Sequence, residues 1–226
     1  MELTDAAVPL APEALVRWKG AARLVPSRYP VAGLLDRVAL PADLDALFEL
    51  EGWTNDRISG ELGLLHAIPR AEWVMSSVVM AAFCHPRHGG GRFSSGERGA
   101  WYAAHTIETA LAESIYHRTE ELREVGGFET RVQMRVYLAD FSARFVDVRP
   151  RHGDRDLYNT HSYATSQQFG RRVLDAGGNG IVYRSVRDPA GECLACFRPP
   201  LVRNARAGGH YEFRWSGPPE PSVRKL

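Results

Sequence analysis

The sequence predicts an α+β fold in which a mixed β core is flanked by helices. Helix-like and strand-like runs alternate from Val78 onward. The links between the strand-like runs are too short for repeated helical crossovers, which argues against a doubly wound parallel sheet. The length of 226 residues, with 44% hydrophobic and 24% charged residues, is typical of one soluble globular unit with a substantial core.

The N-terminal third differs from the remainder in its frequent prolines and its fewer predicted helices and strands. Prolines punctuate residues 1–75 around one predicted helix at residues 42–51, which Pro41 opens. We predict that residues 1–75 are an N-terminal elaboration packed on a catalytic core of residues 76–226. The first residues carry acids and no continuous apolar run, unlike an export signal. We therefore expect a cytoplasmic protein.

Two helices are predicted in the core by apolar periodicity. Residues 106–124 place Ile107, Leu111 and Ile115 on one stripe, and the helix ends before a glycine pair. A second helix is predicted at residues 163–176, again followed by two glycines.

Strands are predicted by alternation of apolar and polar side chains. Residues 130–138 alternate most clearly, with Val132, Met134 and Val136 directed inward. Shorter strands are predicted at residues 180–183 and 193–197. A final strand is predicted near the C-terminus by a further alternating set: Tyr211, Phe213 and Trp215.

Charge, hydropathy and cysteine content exclude several classes of protein. A net charge of +1 gives no general attraction to nucleic acid or to an acidic membrane surface. The most apolar stretch, residues 76–83, is far shorter than the roughly 18 residues of a membrane span. Three cysteines at low density indicate a reducing compartment. We expect neither direct nucleic-acid binding nor membrane association.

Arg92 follows the glycine run at residues 89–91. Glycines let the backbone approach an anion closely, and a guanidinium binds phosphate through two parallel hydrogen bonds. The alternative is a hairpin turn with a solvated arginine. Neither a P-loop motif nor a dinucleotide-binding glycine pattern is present to decide between them.

Glu113 and Ser185 each allow two interpretations. Glu113 lies off the apolar stripe of its predicted helix, so it is either a surface acid or a carboxylate that faces a cleft and stabilises positive charge on a sugar. Ser185 follows a predicted strand, where it either begins a turn or forms part of a site.

Metal binding is not predicted. Cys193 and Cys196 form a CxxC pair, but in a strand their side chains point to opposite faces, and a structural zinc site needs four ligands. The histidines lack the spacing of paired metal ligands.

An ordered series of short motifs resembles the RES-domain family, which is named for an arginine, a glutamate and a serine. These match Arg92 in GGGRF, Glu113 in ETALAE and Ser185 in YRSVR. The resemblance covers most of the chain, and the early portion is similar to the longer members of the family. Further matching stretches are RLVPSRYP, VMAAFCHPR, GAWYAAHTIETALAESIYHR, SYATSQQFG and GNGIVYRSVRDPAGECLACFRP.

The resemblance implies a toxin of a bacterial toxin–antitoxin pair with a fold similar to ADP-ribosyltransferases. Such proteins consume NAD+, by hydrolysis or phosphorolysis of the nicotinamide–ribose bond or by transfer of ADP-ribose to a protein. It also implies a helix-turn-helix antitoxin as partner and NAD+ as substrate, without a metal. Two alternatives stay open: transfer to a specific protein, and a non-catalytic nucleotide-binding or antitoxin-docking module.

The resemblance also assigns roles to individual residues. Arg92 is implied as a pyrophosphate ligand, Tyr102 as a ring beside nicotinamide or ribose, Glu113 as the catalytic carboxylate and Ser185 as a polar anchor.

An early arginine of the family corresponds to Arg23, with Arg28 as the competing choice. One departure is Phe93, where the family usually has tryptophan, so an indole N–H donor is absent at that position.

Overall fold

A computed structural model describes residues 11–27, 76–151 and 153–226. In this part of the chain, seven strands form one sheet in the order β1-β2-β5-β4-β3-β6-β7. The strands are β1 (Glu13–Pro26), β2 (Trp101–Ala104), β3 (Glu129–Asp147), β4 (Gly180–Arg184), β5 (Glu192–Cys196), β6 (Arg203–Ser216) and β7 (Ser222–Lys225). The helices are α1 (Ser76–Cys84), α2 (Ile107–Val125) and α3 (Ala164–Asp175).

The sheet is mixed, which confirms the predicted fold class. β3 and β4 are parallel, whereas the other pairings are antiparallel. An additional pairing of β1 with β3 connects the first five strands of this order into a ring, and β6 and β7 extend from it.

The predicted helix at residues 106–124 is confirmed as α2. Its N-cap is Thr106, whose hydroxyl accepts a hydrogen bond from the Thr109 amide at 3.3 Å. Gly126 is the C-cap. The predictions at residues 163–176, 180–183 and 193–197 are likewise confirmed as α3, β4 and β5, with ends that differ by one residue.

β3 continues well beyond the predicted residues 130–138. Its alternation changes phase where Val136 and Tyr137 are both buried, and it then resumes with Phe141 buried and Ser142 exposed. β1 pairs along one side of this strand and β6 along the other, and core clusters cover both faces. Because a shift of one residue reverses which face is buried, the sequence pattern at residues 130–138 does not continue across this point.

β1 comes from the segment predicted as an N-terminal elaboration, and it pairs with β3 in the central sheet. The predicted boundary at residue 75 stays a prediction. The predicted helix at residues 42–51 and the alternative arginine Arg28 lie outside the described residues.

Apolar side chains pack in separate clusters on the two faces of the sheet. Phe141 and Phe145 belong to one cluster, and Phe93 and Phe169 to the other. The cysteines of β5 divide between these clusters, as the strand geometry predicts, and both are free thiols. No helix within the described ranges has the length and apolar character to cross a membrane.

Candidate active site

A cavity of about 220 Å³ brings most of the predicted site residues together. Arg23, Arg92, Tyr102 and Glu113 all line it. Ser185 contacts the same site through a hydrogen bond to Glu113. The other lining side chains include those of His85, Arg87, Ser94, Ser114, His117, Arg118, Met134, Tyr163, Tyr183 and Cys193.

Ser185 fixes the orientation of the Glu113 carboxylate. The buried hydroxyl accepts hydrogen bonds from the backbone amides of Arg187 and Asp188, each at 3.0 Å. A hydroxyl has one proton to donate, and here it goes to Glu113 Oε1 at 2.6 Å. Ser185 therefore begins a turn and also contacts Glu113. Its role in a functional site stays a prediction.

The loop after β4 docks along one face of α2. Thr109, Glu113 and Tyr116 share this face, because they are spaced four and three residues apart. Thr109 Oγ1 donates to Asp188 Oδ2 at 2.6 Å, and the Arg187 guanidinium carbon lies 3.2 Å from the centre of the Tyr116 ring. The serine–carboxylate bond lies between these contacts. Glu113 is consequently half-buried at the cavity wall, as the cleft interpretation requires.

Arg92 is held in place by backbone oxygens. Its Nη1 donates to Asn159 O at 2.8 Å and to Leu157 O at 3.2 Å, and its guanidinium carbon lies 4.8 Å from the centre of the Tyr163 ring. The predicted turn is present, since a bridge joins Gly91 to Ser94. The alternative of a solvated arginine is wrong, because Arg92 is only 6% exposed.

Tyr102 supports the loop that carries Arg92. Its hydroxyl accepts a hydrogen bond from the Phe93 amide at 2.9 Å and lies 3.0 Å from Ser94 Oγ. Burial raises the pKa of Tyr102 to about 12, so the phenol is neutral at physiological pH. Gly91 packs directly on the ring, where an added Cβ would lie 2.6 Å from ring atoms.

Arg23 belongs to β1 and lines the cavity. Its Nη1 donates to Tyr102 O at 3.2 Å, and its guanidinium carbon lies 5.1 Å from the centre of the Trp101 ring. Burial, assisted by the positive charge of Arg87, lowers the pKa of Arg23 to about 10. The side chain remains a cation at neutral pH.

His117 lines the cavity one helical turn after Glu113, and sequence analysis gave it no role. Burial, together with the positive charges of Arg87, Arg187 and Arg92, lowers the pKa of His117 to about 4. The imidazole is therefore neutral at pH 7. The available signal was its i+4 spacing from Glu113, which places both on neighbouring positions of one helix face.

Across the described ranges, no three side chains among His, Cys, Asp and Glu converge as a metal site would require. The expected absence of a metal stays a prediction.

Ser185→Ala is expected to lower the turnover of this site by about tenfold, because the carboxylate would lose its fixed orientation. The two amides that Ser185 satisfies would also lose their acceptor. Steady-state kinetics with NAD+, the substrate that the family resemblance implies, would separate the effect on kcat from the effect on KM. A fall in kcat measured at a temperature at which the variant remains folded supports a positioning role, whereas wild-type kcat contradicts it.

Comparison with known proteins gives three findings. The sequence model of the RES domain matches residues 64–216. The uncharacterized protein y4oC of Sinorhizobium fredii (strain NBRC 101917 / NGR234) is 29% identical over 197 residues, which cover 86% of this chain and 82% of that protein. A chain in the crystal structure of the M. tuberculosis MbcT–MbcA toxin–antitoxin complex aligns with a TM-score of 0.46 and 10% identity, covering 88% of this chain and 87% of its own.

Proposed function

This chain belongs to the RES domain family, and from that premise we propose that it is a toxin that binds NAD+ and cleaves its nicotinamide–ribose bond. The observation that carries the proposal is the Glu113 carboxylate. It is half-buried at the wall of a cavity, fixed by a buried hydroxyl, and shares that cavity with several guanidinium groups. A fixed carboxylate suits stabilisation of a cation, and guanidinium groups suit restraint of phosphates.

The reaction requires stabilisation of a sugar cation. As the bond from the ribose carbon to the nicotinamide nitrogen breaks, its electron pair leaves with the nitrogen and the ribose becomes oxocarbenium-like. Glu113 would face this developing positive charge and accept hydrogen bonds from ribose hydroxyls. Because the carboxylate is already oriented by Ser185, little reorganisation is needed as the charge develops.

The remaining residues would position the substrate. Arg92 and Arg23 would hold the phosphates. Hydrogen bonds to backbone oxygens already restrain both side chains, which supports this role. The hydroxyl of Tyr102 is engaged with the Arg92 loop, so its contribution would come from the face of the ring. Restraint at both ends of the substrate lowers the entropic cost of reaching the reactive geometry.

A protein that consumes NAD+ in the cytoplasm would poison the cell that makes it. We therefore expect a neutralising partner that covers or enters the cavity, and the family resemblance identifies it as a helix-turn-helix antitoxin. Expression of this chain alone should arrest growth and lower cellular NAD+, and co-expression of the antitoxin should restore both. Normal growth and normal NAD+ during expression of the chain alone would contradict the toxin role.

The proposed reaction is tested by incubation of the purified protein with NAD+, with and without inorganic phosphate, followed by identification of the products. Nicotinamide with ADP-ribose indicates hydrolysis, and nicotinamide with phosphorylated ADP-ribose indicates phosphorolysis. In a separate incubation with a cell lysate, the appearance of ADP-ribose on a lysate protein indicates transfer. Binding of NAD+ without release of nicotinamide, against a blank without protein, would instead favour a non-catalytic nucleotide-binding module.

A further inference from the structure

β7 is an open edge of the sheet in the part of the chain that the structure describes. The strands β1 to β5 form a closed ring, whereas β7 pairs only with β6 and has no strand on its other side. Every residue of β7 is exposed, from Ser222 to Lys225. An open edge presents unpaired amide and carbonyl groups, to which another polypeptide can add a strand.

The hydrogen-bond pattern shows which backbone groups of β7 face outward. The Leu226 amide donates to His210 O at 2.9 Å, so Leu226 and His210 form a hydrogen-bonded pair. Because such pairs alternate along antiparallel strands, the backbone groups of Arg224 are also directed towards β6. The N–H and C=O groups of Val223 and Lys225 therefore point away from the sheet.

Basic side chains surround this edge. Arg224 and Lys225 belong to β7 itself. On the two neighbouring strands, Arg214 of β6 lies directly opposite Arg131 of β3. Like charges in this arrangement are unfavourable, so the surface is stabilised when an anion approaches.

Most of this positive charge is not neutralised within the described ranges. Arg224 forms an ion pair with Glu212 at 3.4 Å. Lys225, Arg214 and Arg131 form no ion pair with any described residue. The edge therefore carries an excess of positive charge in a chain whose net charge is only +1, and this excess favours an acidic partner.

The alternation of β7 assigns a type of side chain to each position of an added strand. Arg224 lies on one face of the sheet, and Val223 and Lys225 lie on the other. A partner residue opposite Arg224 or Lys225 would lie beside a cation and is expected to be acidic. A partner residue opposite Val223, which is 41% exposed and pairs with Phe213, is expected to be apolar.

A second copy of this chain does not fit the edge. Two β7 strands side by side would bring a second Arg224 and a second Lys225 close to the first pair, and basic residues on an edge strand discourage such pairing. Nucleic acid would meet the same positive charge, but it has no peptide groups to pair with those of Val223 and Lys225. An acidic polypeptide can use both the charge and the backbone.

We propose that β7 is a docking edge for an extended acidic segment of a partner protein, which adds to the sheet as a further strand. The acids of that segment would lie beside Arg224 and Lys225, and an apolar residue would cover Val223. No residue of β6 or β7 lines the cavity, so this surface is separate from the candidate active site. The inference does not depend on the proposed function.

The test is a titration of the purified full-length protein with the blocked peptide Thr-Glu-Glu-Val-Glu-Glu-Thr, followed in backbone ¹⁵N–¹H spectra. The amide resonances of Val223 and Lys225 should shift, and both amides should exchange with solvent more slowly in the complex. The same peptide with lysine in place of each glutamate should not bind. Absence of binding by the acidic peptide at millimolar concentration, or binding that leaves both amides unaffected, would overturn the inference.

A proline peptide separates backbone pairing from simple charge attraction. Proline in place of the central valine keeps every glutamate but removes the amide that would pair with Val223. We expect its Kd to be about 10-fold higher than that of the valine peptide. Equal Kd values for the two peptides would show attraction by charge alone and would overturn strand addition.

Val223→Pro is the corresponding variant of the protein. It removes an outward amide and leaves the hydrogen bonds between β6 and β7 in place, so the melting temperature should be preserved and the Kd of the acidic peptide should rise at least about 10-fold. Lys225→Glu should raise the Kd about 10-fold by reversing a charge. Lys19→Glu, the same change at an exposed position of β1, is the matched control and should bind like wild type.

A wild-type Kd in either Val223→Pro or Lys225→Glu would contradict the inference. The measurements on the wild-type protein with the three peptides cover the possibility that a variant does not fold. Binding of a DNA duplex to wild type without binding of the acidic peptide would assign the basic surface to nucleic acid, and it would likewise overturn the proposed docking edge.

Discussion

Glu113→Gln is expected to lower the rate of nicotinamide release by about 10²- to 10³-fold, while the protein stays folded. Glutamine keeps nearly the same shape and can still accept the hydrogen bond from Ser185, which is 2.6 Å long in the wild type. What it loses is the negative charge that would face the ribose cation. The loss should therefore fall on kcat, because the charge matters most in the transition state.

Glu124→Gln is a matched control for this variant, since Glu124 lies on the same helix but is exposed and does not line the cavity. It should release nicotinamide at the wild-type rate. Both variants should also show wild-type melting temperatures. Equal turnover by Glu113→Gln and wild type would remove Glu113 from the proposed mechanism.

The positions of the candidate site residues could be predicted only in part from the residues themselves. Helical periodicity placed Glu113 off the apolar stripe, and by that rule alone it resembled a surface acid. The rule counts only apolar packing, whereas this face of α2 docks through a hydroxyl, a carboxylate and an aromatic ring. The partner loop lies more than 70 residues later in the sequence, so no local pattern reveals the contact. Only the ordered motifs of the family related Glu113 to Ser185 at the level of the sequence.

The fold was predictable where capping residues at the ends of an element agreed with the apolar periodicity within it. α2 has an N-cap threonine, an apolar stripe and a glycine C-cap, and its predicted ends differ from the observed ones by one residue. β1 escaped prediction because its alternation, with Val16 and Trp18 buried, breaks at a register shift before Ala21. β7 is exposed along its whole length, so only its pairing with β6 identifies it.

The loop that carries Arg92 depends on packing that no sequence pattern anticipated. Gln167 of α3 donates from Nε2 to Gly89 O at 2.8 Å and to Gly91 O at 3.0 Å. One turn later, Gly170 lies directly against the backbone of Phe93. The helix and the loop therefore approach each other so closely that there is no room for a side chain at Gly170.

Gly170→Ala is expected to lower the free energy of unfolding by about 2 to 3 kcal/mol. An added Cβ would lie 2.0 Å from Phe93 O and 2.8 Å from Phe93 C, and backbone atoms cannot move aside as a flexible side chain can. Helix propensity acts in the opposite direction, since alanine in a helix interior is favoured over glycine by only about 0.5 to 1 kcal/mol. The steric term is larger, so the net effect is destabilising. Denaturant unfolding monitored by tryptophan fluorescence would measure it.

The same substitution should also impair the site, because relief of the overlap requires α3 and the Arg92 loop to separate. Gly127→Ala is the matched control: no atom lies within 4 Å of its added Cβ, and its backbone is not in the left-handed region. That control should retain wild-type stability and wild-type NAD+ turnover. If Gly170→Ala were as stable as wild type, the close packing of α3 on this loop could not be what holds Arg92 in position. Loss of turnover in Gly170→Ala under conditions where it remains folded would instead attribute that role to the packing.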